Sequence, residues 1–431
     1  MKIDIKSIYL NLRRQPVISI VTIIGTSLAI FLIMIVVMLA EIGTAPITPE
    51  NNRPRMMHQT WTSIKSTDPN NGGSWNGAMS YSTFKGVFRV METPEAVTAY
   101  NSWPMKALLQ EPGGIAVPAV MKGTDDAYWK VFDYDFIAGQ PYNKAEFDAG
   151  VPVAVITANT ARDIFGTTDV VGREMLLNYV PYRVCGVVKD VSAATRRTFA
   201  HVFVPFLSNR ECNLSLCSDL MGSLAATILA RSSDDFDRIR DEYNASVARY
   251  DKEIASTNWK MDIKGRPYVQ EKEAAGSYSQ IEPDLDATHR QRLIIYMILL
   301  LVPAINLSSM TESRLRGRMS EIGVRRAFGC TRLETMLMIL AENLLVTVVA
   351  GIIGLVLSVI FAYFVQDSLF VSDIIAMDIP QVKIAISSLL HWSTFIWALV
   401  FCFILNLLST GIPAWRASRA NIVESIAGLR K

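Results

Sequence analysis

The sequence predicts a membrane protein of four transmembrane helices that carries a large α+β domain outside the membrane. Half of its 431 residues are hydrophobic and only 19% are charged, too apolar a balance for an ordinary soluble chain. Four windows contain no Asp, Glu, Lys or Arg: 15–40, 293–311, 343–366 and 392–415. Each is long enough to cross roughly 30 Å of hydrocarbon as a helix rising about 1.5 Å per residue. Between the first two windows lie about 250 residues that alternate strand and helix patterns. The formal net charge of +2 points to neither nucleic acid nor an acidic substrate.

Basic clusters orient the spans. Lys2, Lys6, Arg13 and Arg14 precede the first window; Arg314, Arg316, Arg318, Arg325, Arg326 and Arg332 follow the second; Arg416, Arg419, Arg430 and Lys431 follow the fourth. With four spans all three clusters fall on one side, which the positive-inside bias makes cytoplasmic. Both termini are then inside, and the segment 43–291 and the loop 367–391 are outside.

Taken in order, residues 1–14 place Ile5, Ile8, Tyr9 and Leu12 on one helical face with Lys2, Lys6 and Arg13 off it, a pattern for a short interfacial helix. The first span, 15–42, carries Gly25 and Ala29 four apart; the third, 333–366, carries Ala350, Gly354 and Ser358 at the same spacing. Small residues so spaced let helices approach closely in lipid. No window holds an ionisable residue of the kind that marks ion pathways, so the spans read as scaffold or pistons.

Outside the membrane, 43–105 and 220–283 read as two arms of one subdomain. The first arm offers strands near 57–64 and 97–103 around a helical pattern through Tyr81, Phe84, Val87, Phe88 and Met91. The second offers strands at 224–230 and 259–263 around a helix over 234–254. There Phe236, Ile239, Tyr243, Val247, Tyr250 and Ile254 step by three and four, and Ser232 with Asp235 forms a capping box. The insert, 106–219, reads as a small β-rich unit with strands at 152–157, 182–188 and 201–205 and a helix over 158–165 closed by Gly166.

Catalytic chemistry finds no support. His58, His201, His289 and His391 are isolated, Asp133 and Asp135 stand on alternate positions of an aromatic-rich turn, and no G-x-S-x-G or H-E-x-x-H occurs. No catalytic residue, metal site or cofactor is expected in this chain. Cys212 and Cys217, five apart in a polar external loop, could close a small disulfide ring.

The polar segment from 284 runs without Gly or Pro into the second span, making a stalk and span over 284–311. The connector 312–332 follows. Ser320 can cap a short helix over 321–328, Gly329 stops it, and Thr331 with Glu334 opens the third span as a capping box. The fourth span, 392–415, leads into a tail at 416–431. A structured, charged connector between two spans suits a soluble partner that pushes on it.

Arg318, the run from Ser320 to Gly329 and Glu342 resemble the signature of FtsX-domain ABC transporter permeases, of which MacB-type and Lol-type (lipoprotein-releasing) permeases are the nearest. Gly123, Thr124, Asp125, Phe132, Phe136, Gly139, Gly166 and Gly172 resemble the MacB periplasmic core, and the stretch from Pro413 to Ser425 resembles the family's closing segment. The resemblance implies a type VII system in the bacterial inner membrane, its large domain periplasmic, with porter-like arms and a sabre-like insert. It implies two paired permeases, as homodimer or heterodimer, each bound to a cytoplasmic ATPase that holds the ATP and Mg. Glu321, Ile322, Gly323, Val324, Arg325, Arg326, Ala327, Phe328 and Gly329 would meet that ATPase, with Cys330 where a smaller residue is expected. No G-x-x-x-x-G-K-[ST] occurs, so the chain is not expected to be an enzyme and the ATPase must be a separate subunit. A periplasmic adaptor and an outer-membrane channel are further partners the resemblance leaves open. The function expected is mechanotransmission driving export or extraction of an unidentified substrate. The alternative is an FtsX-like regulator of an extracytoplasmic partner such as a cell-wall hydrolase.

Overall fold

The computed structural model describes residues 16–69, 72–192, 195–276, 280–370 and 392–420; the side chains at 16–19, 302, 303, 306, 365–370 and 392–395 are left aside. The interfacial helix expected over 1–14, the outer loop from 371, His391 and the tail from 421 lie outside the described residues. In chain order the helices are α1 (Pro16–Thr44), α2 (Tyr81–Val87), α3 (Tyr128–Val131), α4 (Lys144–Asp148), α5 (Ala158–Phe165) and α6 (Phe236–Glu253). Then follow α7 (Gln270–Ala275), α8 (Leu285–Arg316), α9 (Met319–Ala327), α10 (Arg332–Phe370) and α11 (Trp392–Arg419). The chain divides into two compact units, one containing the long helices and the other built on Ile42–Leu285.

Among the described residues three helical stretches are long and apolar enough to cross a membrane: Ile20–Thr44, Arg332–Phe364 and Ile396–Arg419. The window 293–311 lies inside α8, a single helix that opens eight residues earlier in the polar stretch from Leu285. The four helices share one core, with Ile30, Ile33 and Met34 of α1, Leu300, Ala304 and Leu307 of α8, Leu355 of α10 and Phe401, Cys402 and Leu405 of α11. Gly354 marks the closest approach: a Cβ there would stand 2.6 Å from Ser27 O and 3.1 Å from Phe31 N on α1. Gly351, on the same helix, faces α11, where a Cβ would meet Cys402 Sγ at 2.3 Å. Ala29, Ala350 and Ser358 are buried, whereas Gly25 has only Leu307 Cδ2 at 3.9 Å.

The external unit is organised on strand β14 (Leu224–Leu229), buried at every position. It pairs antiparallel with β4 (Ala96–Asn101), from Leu224↔Asn101 to Leu229↔Ala96, and on its other side with β1 (Met56–Gln59). The two arms therefore close on each other across more than a hundred intervening residues. The helix α6 lies on them as its periodicity requires: Ile239, Tyr243 and Val247 are buried, and Tyr243 meets Phe88 at a ring distance of 5.4 Å. Gly86 admits Tyr250, since a Cβ would lie 2.4 Å from its ring. Ser232 and Asp235 make the expected reciprocal cap, and Gly166 ends α5 at φ +72°.

The insert is not a separate body. Its strands β6 (Val117–Thr124), β8 (Val153–Thr157), β10 (Val180–Val188) and β11 (Val202–Pro205) pair with one another and join the arms where Tyr100 of β4 opposes Thr124. Tyr81 of the first arm packs its ring 5.1 Å from Phe206 of the insert, and one hydrophobic cluster contains Met57 and Ile228 together with Ile156 and Val187. Burying one continuous core removes more apolar surface from water than two small ones would.

The expected Cys212–Cys217 ring does not form; both cysteines are free. Cys212 is fully buried, its Sγ 3.8 Å from Met105 Sδ, while Cys217 opens a run of left-handed residues with φ +50°. Burial pushes the Cys212 thiol up to about 12. Two of the lone histidines are packing residues: His58 Nδ1 meets Thr227 Oγ1 at 3.0 Å, and His201 Nδ1 accepts from the Val120 amide at 2.9 Å, while His289 is exposed. Asp135 pairs with Lys189 at 2.9 Å, and Asp133 accepts from Asn52 at 3.1 Å.

These contacts set two expectations. Gly354→Ala should destabilise the helix assembly by about 1–3 kcal/mol, because its Cβ meets backbone, whereas Gly25→Ala should leave it unchanged; melting in detergent compares them. Thiol-specific alkylation at neutral pH should label Cys217 in the folded chain and Cys212 only after unfolding, as peptide mass spectrometry would read.

Candidate coupling site between the second and third long helices

The connector between α8 and α10 is a helix with two unlike faces. It begins earlier than its sequence suggests. Arg318, not Ser320, holds the N-cap position, and no side chain caps it. The Arg318 amide bonds back to Leu315 O at 3.0 Å, so the chain turns directly out of α8 and the Ile322 amide already reaches Arg318 O at 3.1 Å. Its end is as expected: Gly329 takes φ +98°, and the Gly329 and Cys330 amides bond to Arg326 O and Arg325 O. Thr331 and Glu334 then form a reciprocal cap at the start of α10, with the Thr331 amide 2.9 Å from Glu334 Oε2 and the Glu334 amide 3.2 Å from Thr331 Oγ1.

The inward face is apolar. Ile322 and Gly323 are buried, and Ile322 packs in a cluster with Leu315, Ile339, Ala414 and Ala417. A single cation staples this face to α10. Arg318 donates Nη1 to both carboxylate oxygens of Glu342, at 2.8 and 2.9 Å, and Nε to Glu321 at 3.2 Å. Glu321 also accepts from Arg325 at 2.8 Å, so four charges form the ladder Glu342–Arg318–Glu321–Arg325. Burial alone would push Glu321 up, but the hydrogen bond and charge of Arg318, with Arg325 behind it, hold it below the ordinary glutamate range. Burial likewise opposes the charge on Arg318, and Glu321 and Glu342 raise its pKa in spite of it.

Two further arginines extend the clamp. Arg326 donates to Ala420 O at 2.5 Å, beyond the end of α11, and Arg314 donates to Thr22 Oγ1 of α1 at 2.8 Å. Through Arg318 and Arg326 the connector is thereby bonded to α10 and to the residue that follows α11, while Arg314 ties the end of α8 to α1.

Of the nine residues expected to meet an ATPase, Ile322 and Gly323 are buried against the chain's own helices. Glu321 and Arg326 are engaged within the chain. What the helix presents outward is Val324, Arg325, Ala327 and, most of all, Phe328, 89% exposed, with Gly329 beside it. The sequence missed the Arg318–Glu342 pair. Its signal was a lone carboxylate at the inner edge of the third apolar window, about three helical turns past Arg332, the nearest basic residue on its own helix.

Family comparisons agree with this architecture. Residues 19–246 match the model of the MacB-like periplasmic core domain, and residues 293–422 match that of the FtsX-like permease C-terminal domain. The chain is 21% identical over 414 residues to the "uncharacterized ABC transporter permease YknZ" of Bacillus subtilis (strain 168), covering 95% of this chain and 94% of that protein. It is 24% identical over 319 residues to the "macrolide export ATP-binding/permease protein MacB" of Escherichia coli (strain K12), covering 73% of this chain and 44% of that one, so it spans less than half the length of MacB. Among solved structures, the extracellular domain of YknZ from Gram-positive bacteria gives a TM-score of 0.33 at 14% identity, covering 47% of this chain and 99% of that domain. The periplasmic region of MacB from Actinobacillus actinomycetemcomitans gives 0.32 at 14% identity, covering 47% and 88%. The chain belongs to the MacB-like, FtsX-domain family of ABC transporter permeases.

Proposed function

We propose that this permease is a mechanotransmission subunit, which receives the ATP-driven motion of a separate cytoplasmic ATPase at α9 and delivers it to its external unit to export or extract a substrate. The observation that carries the reading is the two-faced α9, packed against Leu315, Ile339, Ala414 and Ala417 on one side and offering Phe328 on the other. A buried aromatic anchor surrounded by ancillary contacts is how compact interfaces concentrate their energy. An apolar ring left in water at 89% exposure is the free half of such a contact.

Four spans with both termini on the cytoplasmic side complete the proposal. What supports α8 as the fourth is its outward face, where Ile294, Met297, Ile298, Leu301 and Ile305 recur at helical spacing and are all exposed, as lipid-facing residues would be. A separate ATPase is supported by the similarity to MacB, an ATP-binding/permease protein, and by the want of a phosphate-binding loop within these residues. Pairing of two permeases, with one ATPase each, follows from the same reading.

Three expectations test it. Phe328→Ala should weaken co-purification with the ATPase at least tenfold, about 1.4 kcal/mol, and abolish stimulation of ATP hydrolysis, while Ser320→Ala changes neither; undiminished binding by the Phe328 variant would sink the docking role. Arg318→Met should leave Glu342 and Glu321 without their shared cation and cost about 2 kcal/mol, less than a fully buried pair because the site is partly wet. Because Glu321 is held low, its contribution is complete above its ordinary pKa near about 4.3 and is lost as pH falls through the lower folded value. Hydrogen exchange of α9 should therefore be constant from about pH 7 to 5, after correction for the intrinsic rate, and rise only below about pH 4.

A further inference from the structure

The chain leaves α1 through residues 42–55, a stretch whose Pro, Asn and Arg content reads as a solvated loop, yet it buries two full charges there. Glu50 is 0% exposed and Arg53 3%. Arg53 Nε donates to Glu50 Oε2 at 2.7 Å, and its Nη1 donates to the carbonyls of Ile42 at 2.7 Å and Ala45 at 2.8 Å. A third carbonyl of the same turn, Gly43 O, accepts from Gln270 Nε2 at 2.7 Å. A helix ends with carbonyls that have no intrahelical donor and with partial negative charge, so a cation and an amide are the groups that satisfy it.

These groups are themselves anchored. The second oxygen of Glu50 accepts from Thr198 Oγ1 at 3.2 Å, and the Asp133 amide donates to Pro49 O at 2.9 Å. Gln270 opens α7, whose Glu273 pairs with Arg197 at 3.4 Å and bonds to Thr60. Three stretches far apart in sequence, 42–55, 195–198 and 270–273, so converge on the last turn of α1, all of them within the external unit. A buried ion pair adds little stability over an apolar pair of the same shape, but it holds one geometry. A geometric role is therefore the better account of why charges are buried here.

From this convergence we infer that Glu50, Arg53 and Gln270 are positioning residues of a rigid joint, which makes the last turn of the first membrane helix move as one body with the external sheet. Motion of the helix is then delivered to the external unit instead of being absorbed by fraying at its end. The purpose of the joint rests on the mechanotransmission reading; its rigidity does not.

The test uses the full chain in lipid nanodiscs, followed by hydrogen exchange with mass spectrometry, for wild type, Arg53→Met and Gln270→Ala. Both variants should speed exchange in 38–46 and in 270–275 together and leave 224–229 unchanged. Faster exchange confined to 38–46 overturns the joint and leaves only a local helix cap. Gln270→Ala removes no charge and carries the test where Arg53→Met does not fold. With the co-purifying ATPase added, wild type should show an ATP-dependent change in exchange across the external unit. Both variants should lose that change while hydrolysing ATP at the wild-type rate. A wild-type change retained in both variants overturns the joint alone; no change in wild type itself overturns the mechanotransmission reading.

Discussion

The guanidinium of Arg318 decides what the connector between the second and third long helices can do. It is shared between Glu342 on α10 and Glu321 on α9, and it sits at the point where the chain turns out of α8. Without that cation two carboxylates would face each other at the edge of the hydrocarbon, where desolvation makes unpaired charge costly. With it, a nine-residue helix too short to be stable alone is held on a fixed face against Leu315, Ile339 and Ala417. Only because that face is fixed does Phe328 have a defined direction to offer.

The same physical device recurs outside the membrane, at another helix end. Near the close of α1 the buried pair Glu50–Arg53 holds carbonyls of the last turn, as Arg318 holds the start of α9. Among the described residues the shared core of the long helices holds Ile30, Ile33, Met34, Leu300, Leu307, Leu355, Phe401 and Leu405. Their packing is made by apolar contact and by close approaches such as Gly354 against Ser27 O.

Much of this was legible before any coordinates. Long runs without charge announced the membrane helices, because burying an ionisable group in lipid costs too much to be casual. Local signals read well too: the Thr331–Glu334 cap, Gly329 and Gly166 with their left-handed backbones, and the three-and-four spacing of Ile239, Tyr243 and Val247. All depend on neighbours within one turn. What failed depended on partners distant in sequence. Which face of α9 is buried is set by Ile339 and Ala417, so Ile322 could not be told from Val324. Ser320 has the chemistry of a cap, but the tight exit from α8 puts Arg318 there first. Nearness of Cys212 to Cys217 in sequence said nothing of the core that takes the Cys212 side chain.

The central claim is that ATP acts at α9 and its effect appears outside the membrane. The most direct measurement places a spin label at the exposed position Tyr179 in each copy of the proposed pair and reads the label-to-label distance by double electron–electron resonance. With the ATPase bound, trapping ATP should shift that distance in the wild-type chain, and Phe328→Ala should leave it at the nucleotide-free value. A distance indifferent to nucleotide in the wild type, or one that shifts equally when Phe328 is removed, would contradict the account.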